Sequence, residues 1–130
     1  SIQAIMAQRL VRRICPNCRV IDEHPDPHYL RLLNITPEDL KRHPVYKGAG
    51  CSKCHNIGYK GRQGIFEILE MNTELRELAF ARAPASEIRK AAKASGMKTL
   101  LEDGRDKVFK GISTPEEISK HSQAEGLVLD

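Results

Sequence analysis

The four cysteines of this 130-residue chain fall into two identical CxxC motifs, Cys15–Cys18 and Cys51–Cys54, and no cysteine is left over. Two residues between the cysteines of a pair allow a tight turn to direct both sulfurs at one point. Two such turns together supply four thiolates in a tetrahedron, which suits Zn²⁺ at Zn–S distances of about 2.3 Å. The sequence therefore predicts one zinc site with Cys15, Cys18, Cys51 and Cys54 as its ligands.

Disulfide bonds or a redox-active dithiol are the alternative interpretations of a CxxC motif. A redox dithiol needs only one pair, set between a strand and a helix of a βαβ unit, and no such pattern surrounds either motif. His55 directly follows Cys54 and could compete as a ligand, but four sulfurs already complete the coordination. A closed cage of this kind leaves no position for water or substrate, so we predict a structural metal.

The connection between the two motifs predicts structure of its own. Its 32 residues, from Cys18 to Cys51, exceed the roughly 15–20 residues of a compact zinc ribbon. Thr36 predicts a helix N-cap and Pro37 suits the first helical position, while the acids that follow face the positive end of the helix dipole. We expect this helix to end before Pro44, which makes the connection a small helical insertion.

The segments on either side of the motifs predict different structures. Residues 2–14 have apolar spacings that favour a buried helix, although its last turn fits a strand equally well. Three glycines within residues 58–64 indicate sharp turns or close backbone approaches, and residues 65–69 predict a buried strand.

From residue 72 onward the pattern is helical. N-caps are predicted at Asn72, Ser86 and Thr114, the last with a capping box to Glu117, and Gly104 lies on a buried stripe where we expect a close packing partner. We therefore predict an α+β fold that is mainly helical. It contains a small tetracysteine subdomain with a helical insertion, a short strand segment and a C-terminal helical bundle.

The charge pattern leaves two kinds of partner open. The chain carries 21 Lys+Arg against 17 Asp+Glu, and Arg9 and Arg12 lie close to the first cysteine motif. A basic patch beside zinc cysteines is one mark of a nucleic-acid-binding module. However, aromatic residues make up only 5% of the chain, and no basic helix follows either motif. The alternative is that these arginines meet another protein domain or an acidic ligand.

Motifs of catalysis and of membrane insertion are missing from the sequence. It contains no nucleotide-binding P-loop, no GxSxG, no HExxH and no Cys/His nucleophile pair. Glu102, Asp103 and Asp106 cluster on a predicted helix, and we interpret them as a solvated face because no histidine accompanies them. No run approaches the roughly 18 apolar residues of a membrane span, and no leader precedes the first cysteine. We expect a cytoplasmic chain that by itself neither hydrolyses ATP nor binds it tightly.

Several short motifs follow one another in a fixed order. They are Ala7-Gln8-Arg9-Leu10-Val11-Arg12 before Cys15, Gly58-Tyr59-x-Gly61-Arg62-x-Gly64-Ile65-x-Glu67 after Cys54, Met97-x-x-Leu100-x-x-Asp103-Gly104, and Gly111-x-Ser113-Thr114-x-Glu116-Glu117. With these motifs the chain resembles, over nearly its whole length, the C-terminal part of the type II secretion and type IV pilus-assembly ATPases. The tetracysteine insertion favours the assembly and secretion branch over the retraction type.

The resemblance implies a hexameric RecA-like motor at the cytoplasmic face of the inner membrane, whose ATP and Mg²⁺ segments lie upstream of Ser1. It also implies four segments: the end of the motor domain (1–14), the tetracysteine subdomain (15–61), a strand with C-terminal helices that pack on the motor core (62–123) and a flexible tail (124–130). Arg9, Arg12 and Arg62 are candidates for contacts with that core or with an adjacent protomer. Platform proteins of the inner membrane are expected partners, and nucleic acid is not.

Overall fold

This computed structural model describes residues 3–122. They form two antiparallel ribbons, and in the sequence the inner ribbon is nested between the two strands of the outer ribbon. The outer ribbon pairs β1 (Ala4–Ile14) with β4 (Tyr59–Glu70). The inner ribbon pairs β2 (Arg19–Ile21) with β3 (Tyr46–Gly48). Each cysteine motif lies where the chain passes from one ribbon to the other, so the nesting brings the two motifs together.

The helix predicted for residues 2–14 is wrong, because Ala4–Ile14 is a strand. Ala7 and Val11 are buried, whereas Met6 and Leu10 on the opposite face are 59% and 48% exposed. This two-residue alternation is the pattern of a strand with one buried face. The partner that fixes the strand is β4, whose register with β1 the local spacing could not reveal.

The insertion between the motifs is helical, as predicted. It contains α1 (Pro27–Leu32), capped by the side chain of Asp26, and α2 (Pro37–Arg42). Thr36 caps α2 and forms a reciprocal capping box with Asp39, and the helix ends before Pro44. The threonine cap and the end of α2 are therefore confirmed, and α1 is an additional helix that was not predicted.

Four helices follow the outer ribbon: α3 (Thr73–Phe80), α4 (Ala85–Ala94), α5 (Leu100–Phe109) and α6 (Pro115–Ser122). The Asn72 cap of α3 is confirmed by its bond to the amide of Leu75 at 2.8 Å. The Ser86 cap is wrong, because α4 already begins at Ala85 and has Pro84 at the N-cap position. The tail predicted for residues 124–130 lies outside the described residues.

Two apolar clusters fasten the helices to the ribbons. The first joins the insertion to the outer ribbon, α5 and α6, and contains Val11, Leu30, Leu33, Ile35, Val45, Ile65, Leu100, Val108 and Ile118. The second joins the far end of the outer ribbon to α3 and α4, and contains Ala7, Leu69, Leu75 and Ala92. The α+β class is thus confirmed, with six α-helices and two small antiparallel sheets in residues 3–122.

The close approach predicted at Gly104 is also confirmed. A Cβ atom added there would lie 2.5 Å from Cγ2 of Ile118, so α5 and α6 touch at a point that admits no side chain. None of the helices described here combines the length and the apolar character needed to cross a bilayer.

Candidate metal centre

The four cysteine sulfurs converge at the junction between the two ribbons. The Sγ–Sγ distance is 3.8 Å for Cys15 and Cys51, 3.8 Å for Cys18 and Cys54, and 3.7 Å for Cys51 and Cys54. All four sulfurs lie within 4.8 Å of one another. A tetrahedron with Zn–S bonds of about 2.3 Å has edges of roughly 3.8 Å. The spacing therefore fits four ligands around one metal ion, and it is far longer than the ~2.05 Å of a disulfide bond.

Glycines allow the two backbone segments to meet at the sulfurs. The amide of Gly50 donates to Sγ of Cys18 at 3.3 Å, and the amide of Gly58 donates to Sγ of Cys54 at 3.2 Å. Both glycines have positive φ values, +97° and +87°, which other residues adopt only under strain. A Cβ atom at Gly48 would collide with the carbonyl of Gly58. The close approach predicted for the glycines after Cys54 is thus confirmed at Gly58, whereas Gly48 and Gly50 were not predicted.

The electrostatics of the cluster favour a cation. A hydrogen bond from the side chain of Asn17 lowers the pKa of Cys51 to about 6. Burial opposes ionisation of Cys54, but hydrogen bonds with the backbone, first that from the amide of Gly58, outweigh it and lower its pKa. Burial, and then the neighbouring thiols, raise the pKa of Cys18 to about 11. Because adjacent thiolates repel one another, full ionisation of all four needs a positive ion among them.

The four cysteines are arranged as a closed set of ligands that could hold a metal ion. Cys15 and Cys54 are buried, and Cys18 and Cys51 are partly buried. His55 is exposed and does not belong to the cluster found in the described residues. Four protein ligands fill a tetrahedral shell, so an ion bound here could brace the chain without taking up substrate.

Arg12, one of the three arginines singled out in the sequence, is bound within the chain itself. Its Nε and Nη2 donate to Oε1 of Glu117 at 3.1 and 3.0 Å, and its backbone amide donates to Oε2 at 2.9 Å. Its guanidinium also stacks on the ring of Tyr59, 4.1 Å from the ring centre. Burial alone would raise the pKa of Glu117, but the bonds from Arg12 outweigh it and hold that pKa below its usual value.

Arg9 and Arg62 take no part in the Arg12–Glu117 ion pair. Nη1 of Arg9 donates to the neighbouring carbonyl of Gln8 at 2.9 Å. Arg62 is exposed and lies opposite Arg12 in the outer ribbon, and its side chain has no hydrogen bond or ion pair with residues 3–122. Contacts of Arg9 and Arg62 with other domains or protomers stay a prediction.

Thr114 and Glu117 were predicted to form a capping box. The half made by the Thr114 side chain is present, and the half made by the Glu117 side chain is wrong. Oγ1 of Thr114 accepts the amide of Glu117 at 3.1 Å, so the N-cap itself is confirmed. The carboxylate of Glu117 binds Arg12 and not the backbone of Thr114. No local pattern could reveal this partner, which lies 105 residues earlier in the chain.

The solvated face predicted for the acids of α5 is wrong for Asp103. The Asp103 side chain is only 13% exposed, and its carboxylate accepts the amide of Phe66 at 2.9 Å, which fastens α5 to the edge of β4. Glu102 forms a capping box with Thr99, and Asp106 pairs with Lys110 at 3.0 Å. These acids therefore support the helix and show no catalytic arrangement.

Comparisons with known proteins place the chain in one family and confirm the resemblance. The family described as "Type II/IV secretion system protein" matches residues 1–120. The type IV pilus assembly ATPase PilB of Thermus thermophilus is 44% identical over 118 residues, which are 91% of this chain and 13% of that protein. The type II secretion system protein E of Pseudomonas aeruginosa is 33% identical over 125 residues, 96% of this chain and 24% of that protein.

A third relative extends the match to the type II secretion system ATPase E of Vibrio cholerae. It is 35% identical over 122 residues, which are 92% of this chain and 23% of that protein. The chain thus spans 13–24% of the length of these three relatives. Because the family matches nearly the whole chain, this protein belongs to the type II/IV secretion system protein family.

Proposed function

We propose that this chain is the zinc-binding C-terminal part of an ATPase that powers type II secretion or type IV pilus assembly. The names of its relatives support the process, and the spacing of the four sulfurs supports the metal. Thiolate ligands in a tetrahedron favour Zn²⁺, whereas Mg²⁺ and Ca²⁺ take oxygen ligands. Bound there, zinc neutralises the thiolates and joins the two ribbons.

A role in coupling is supported by the hydrogen bonds between the cysteine junction and the loop that connects α5 to α6. The amide of Ile14, beside Cys15, donates to the carbonyl of Ile112 at 2.8 Å. The guanidinium of Arg19 donates to the carbonyl of Gly111 at 3.2 Å. Together with the Arg12–Glu117 pair, these bonds allow a zinc-braced junction to pass movement between the motor and its partners as a rigid unit.

The outer face of the outer ribbon supports a contact with the rest of the parent protein. Met6, Leu10 and Ile68 are 59%, 48% and 45% exposed on this face, and β4 is the only strand that pairs with β1 within residues 3–122. An open strand edge beside exposed apolar side chains is a surface that proteins normally cover. We assign this cover to the motor core, with which segments 1–14 and 62–123 would pack.

The remaining parts of the proposal concern the assembled parent. We place it in the cytoplasm, held at the inner membrane by platform proteins, as a hexamer that binds ATP and Mg²⁺ outside this chain. Segment 15–61 would be its zinc subdomain, and segment 124–130 its tail. Arg9 and Arg62 are the candidate contacts to the core or to a neighbouring protomer. The chain alone should neither bind ATP tightly nor hydrolyse it, because it has no P-loop.

Substitution of cysteines in the full-length parent tests the coupling role. We expect Cys18→Ser or Cys51→Ser to damage secretion or pilus assembly more than nucleotide binding, because a closed cage takes no part in the chemistry. Ser52→Ala is the matched control, since Ser52 is exposed inside the second motif and lacks a ligand atom in the cluster. Folded cysteine variants that support normal secretion would refute the coupling role.

A second experiment tests the arginines. We expect Arg62→Ala to lower the ATPase rate of the hexamer without unfolding the domain, whereas Arg42→Ala, an exposed arginine at the end of α2, should leave the rate unchanged. If instead the chain shifted labelled DNA in a salt-dependent manner, the alternative of a nucleic-acid-binding zinc module would be favoured.

A further inference from the structure

All three tyrosines of the chain line a single groove, which we name the tyrosine groove. Tyr29, Tyr46 and Tyr59 come from α1, β3 and the start of β4, and the groove lies between the insertion and the first turn of α6. Its volume is about 430 Å³, and the three rings are half-buried. Tyrosines gathered in this way are typical of binding surfaces, since each ring offers a large apolar face and a polar tip.

Three carboxylates line the groove, although the chain as a whole carries a formal charge of +4. They belong to Asp22, Asp26 and Glu116, and the lining also includes Lys47 and His24. Nζ of Lys47 lies 4.0 Å from Oδ1 of Asp22, whereas Asp26 and Glu116 form no ion pair with any described residue. The charge of Glu116 reaches the rings, because it raises the pKa of Tyr29. Near Tyr29 the groove therefore presents two carboxylates without an ion pair beside an aromatic face, although Asp26 also accepts the amide of His28 at 2.9 Å.

Two of the three rings already hold a guanidinium group of the chain. Cζ of Arg12 lies 4.1 Å from the ring centre of Tyr59, and Cζ of Arg19 lies 5.0 Å from that of Tyr46. Tyr29 stacks no cation within residues 3–122, although its hydroxyl donates to Oε1 of Glu116 at 3.3 Å. Tyr29, Asp26 and Glu116 thus form the part of the groove where an aromatic face has no stacked cation and two carboxylates have no ion pair within residues 3–122.

We propose that the tyrosine groove is a docking site for an arginine in a basic segment of a partner protein. The guanidinium would stack on Tyr29 and pair with Glu116 and Asp26, as planar guanidinium groups do with rings and carboxylates. Arginine suits this position better than lysine because its flat, weakly hydrated group can stack and form a forked bond at once. The site lies apart from the four cysteines, so the proposal does not depend on the coupling role.

The alternative is that the tyrosines only fasten the insertion to α6. The hydroxyl groups of Tyr59 and Thr114 lie 2.6 Å apart, and Tyr29 bonds Glu116, so both rings also have a structural use. A structural role predicts loss of stability when these groups are removed, but no binding of a cationic peptide. Binding is therefore the property that separates the two explanations.

Titration of the metal-loaded chain of residues 1–130 with a short peptide tests the proposal. The probe is an acetylated and amidated five-residue peptide with one central arginine between glycines and serines, and its control has neutral citrulline in place of arginine. We expect the arginine peptide to shift the NMR signals of residues lining the groove, and the citrulline peptide to leave them in place. Equal shifts with both peptides, or none with either, would overturn the proposal.

Matched variants locate the binding. Glu116→Gln should lower the affinity for the arginine peptide about three- to fivefold, which is the loss expected for one exposed ion pair. Glu74→Gln should leave binding unchanged, since Glu74 occupies the same position in the first turn of α3 but lies outside the groove. Tyr29→Leu should remove the stacking surface and weaken binding further, and thermal unfolding verifies that each variant is folded. Equal effects of the two glutamine variants would contradict the assignment.

The identity of the occupant has its own control. If the groove signals moved with protein concentration in the absence of peptide, the groove would bind a second copy of this chain, and the assignment to a partner protein would be wrong. Unchanged signals over the same concentration range support the partner. Failure of this docking site would leave the zinc and coupling proposals intact, because those rest on the cysteine junction.

Discussion

The two ends of the outer ribbon are stabilised by different chemistry. At one end, four sulfurs and a set of polar bonds hold the junction of the ribbons. At the other end, α3 and α4 pack through small and medium apolar side chains, and one buried ion pair joins Glu67 to Arg89 at 3.0 Å. We therefore expect the cysteine end to depend on a bound metal ion, and the helical end on apolar burial and the Glu67–Arg89 pair.

This contrast predicts that the two ends respond to different changes. Structural zinc supplies apparent free energies of ~10–16 kcal/mol in small domains, more than the usual stability of a domain this size. Burial of apolar side chains does not depend on metal or on the ionisation of thiols. The two ends should thus be separable by experiment.

The largest effect should follow the loss of one sulfur ligand. We expect Cys54→Ser to abolish stoichiometric zinc and to destabilise the cysteine end, because Cys54 is 3% exposed and its sulfur accepts the amide of Gly58. Metal analysis and thermal unfolding measure the two effects. Ser52→Ala should retain both zinc and melting temperature. A Cys54→Ser protein that melts at the unchanged temperature would contradict a structural metal.

The next effect concerns the helical end. Arg89→Met should cost roughly 3–5 kcal/mol, because it leaves the carboxylate of Glu67, 1% exposed, without its bidentate partner. Chemical denaturation measures the loss, and Lys90→Met, at the exposed neighbouring position, is the control.

The same pair allows a double-mutant cycle. Because Glu67→Gln removes the buried charge, adding Arg89→Met to it should cost much less than Arg89→Met alone. Zinc content should stay at one per chain in every member of the cycle. Additive costs, or loss of zinc, would mean that the helical end is not held in the way described.

A smaller and pH-dependent effect is expected at Glu117. Glu117→Gln should cost roughly 1.5–3 kcal/mol near neutral pH, because the bonds to Arg12 are charge-assisted. The pKa of Glu117 is lowered in the folded chain, so its contribution is present above the unfolded value of about 4.3 and is lost as the pH falls through the folded value.

Denaturation of the parent and the variant at several pH values checks this sign. The difference in unfolding free energy should shrink as the pH falls below about 4.3, the unfolded value. A difference that grows below that pH would show that the pair does not stabilise the folded chain in its ionised form.

The smallest effect is expected between α5 and α6. Gly104→Ala adds a methyl group 2.5 Å from Cγ2 of Ile118, which favours a loss of stability, but alanine also raises helix propensity by about 1 kcal/mol. We expect a net loss of about 1 kcal/mol. Gly104→Ala combined with Ile118→Val, which trims the opposing side chain, should restore part of it. No recovery in the double variant would place the strain elsewhere.

The features that the sequence predicts correctly depend on neighbours in the chain. The capping box of Thr36 and Asp39 spans three residues, and the paired cysteines are three apart within each motif. Both patterns are local, so their spacing is sufficient to predict a helix cap and a turn that directs two sulfurs at one point. The same holds for the Asn72 cap of α3.

The features that the sequence does not predict depend on distant partners. Ala4–Ile14 has spacings that fit a helix, but pairing with residues of β4 that lie 45 to 66 positions later in the chain makes it a strand. Glu117 occupies a capping-box position, yet the guanidinium of Arg12 offers a stronger partner than the backbone. Sequence spacing carries no information on contacts of this range. The sequence therefore predicts a cluster of four cysteines, but it does not predict the bonds that fasten their junction to α6.

The central claim is that a metal ion stabilises the cysteine end and not the helical end. Amide hydrogen exchange before and after chelation tests this claim most directly. The informative amides are those of Gly50 and Gly58, which donate to cysteine sulfurs, and that of Leu75 in α3 is the reference. We predict one zinc per chain, exchange about tenfold faster or more at both glycines once zinc is removed, and unchanged exchange at Leu75. Unchanged glycine exchange after chelation, or equal acceleration at Leu75, would contradict the account.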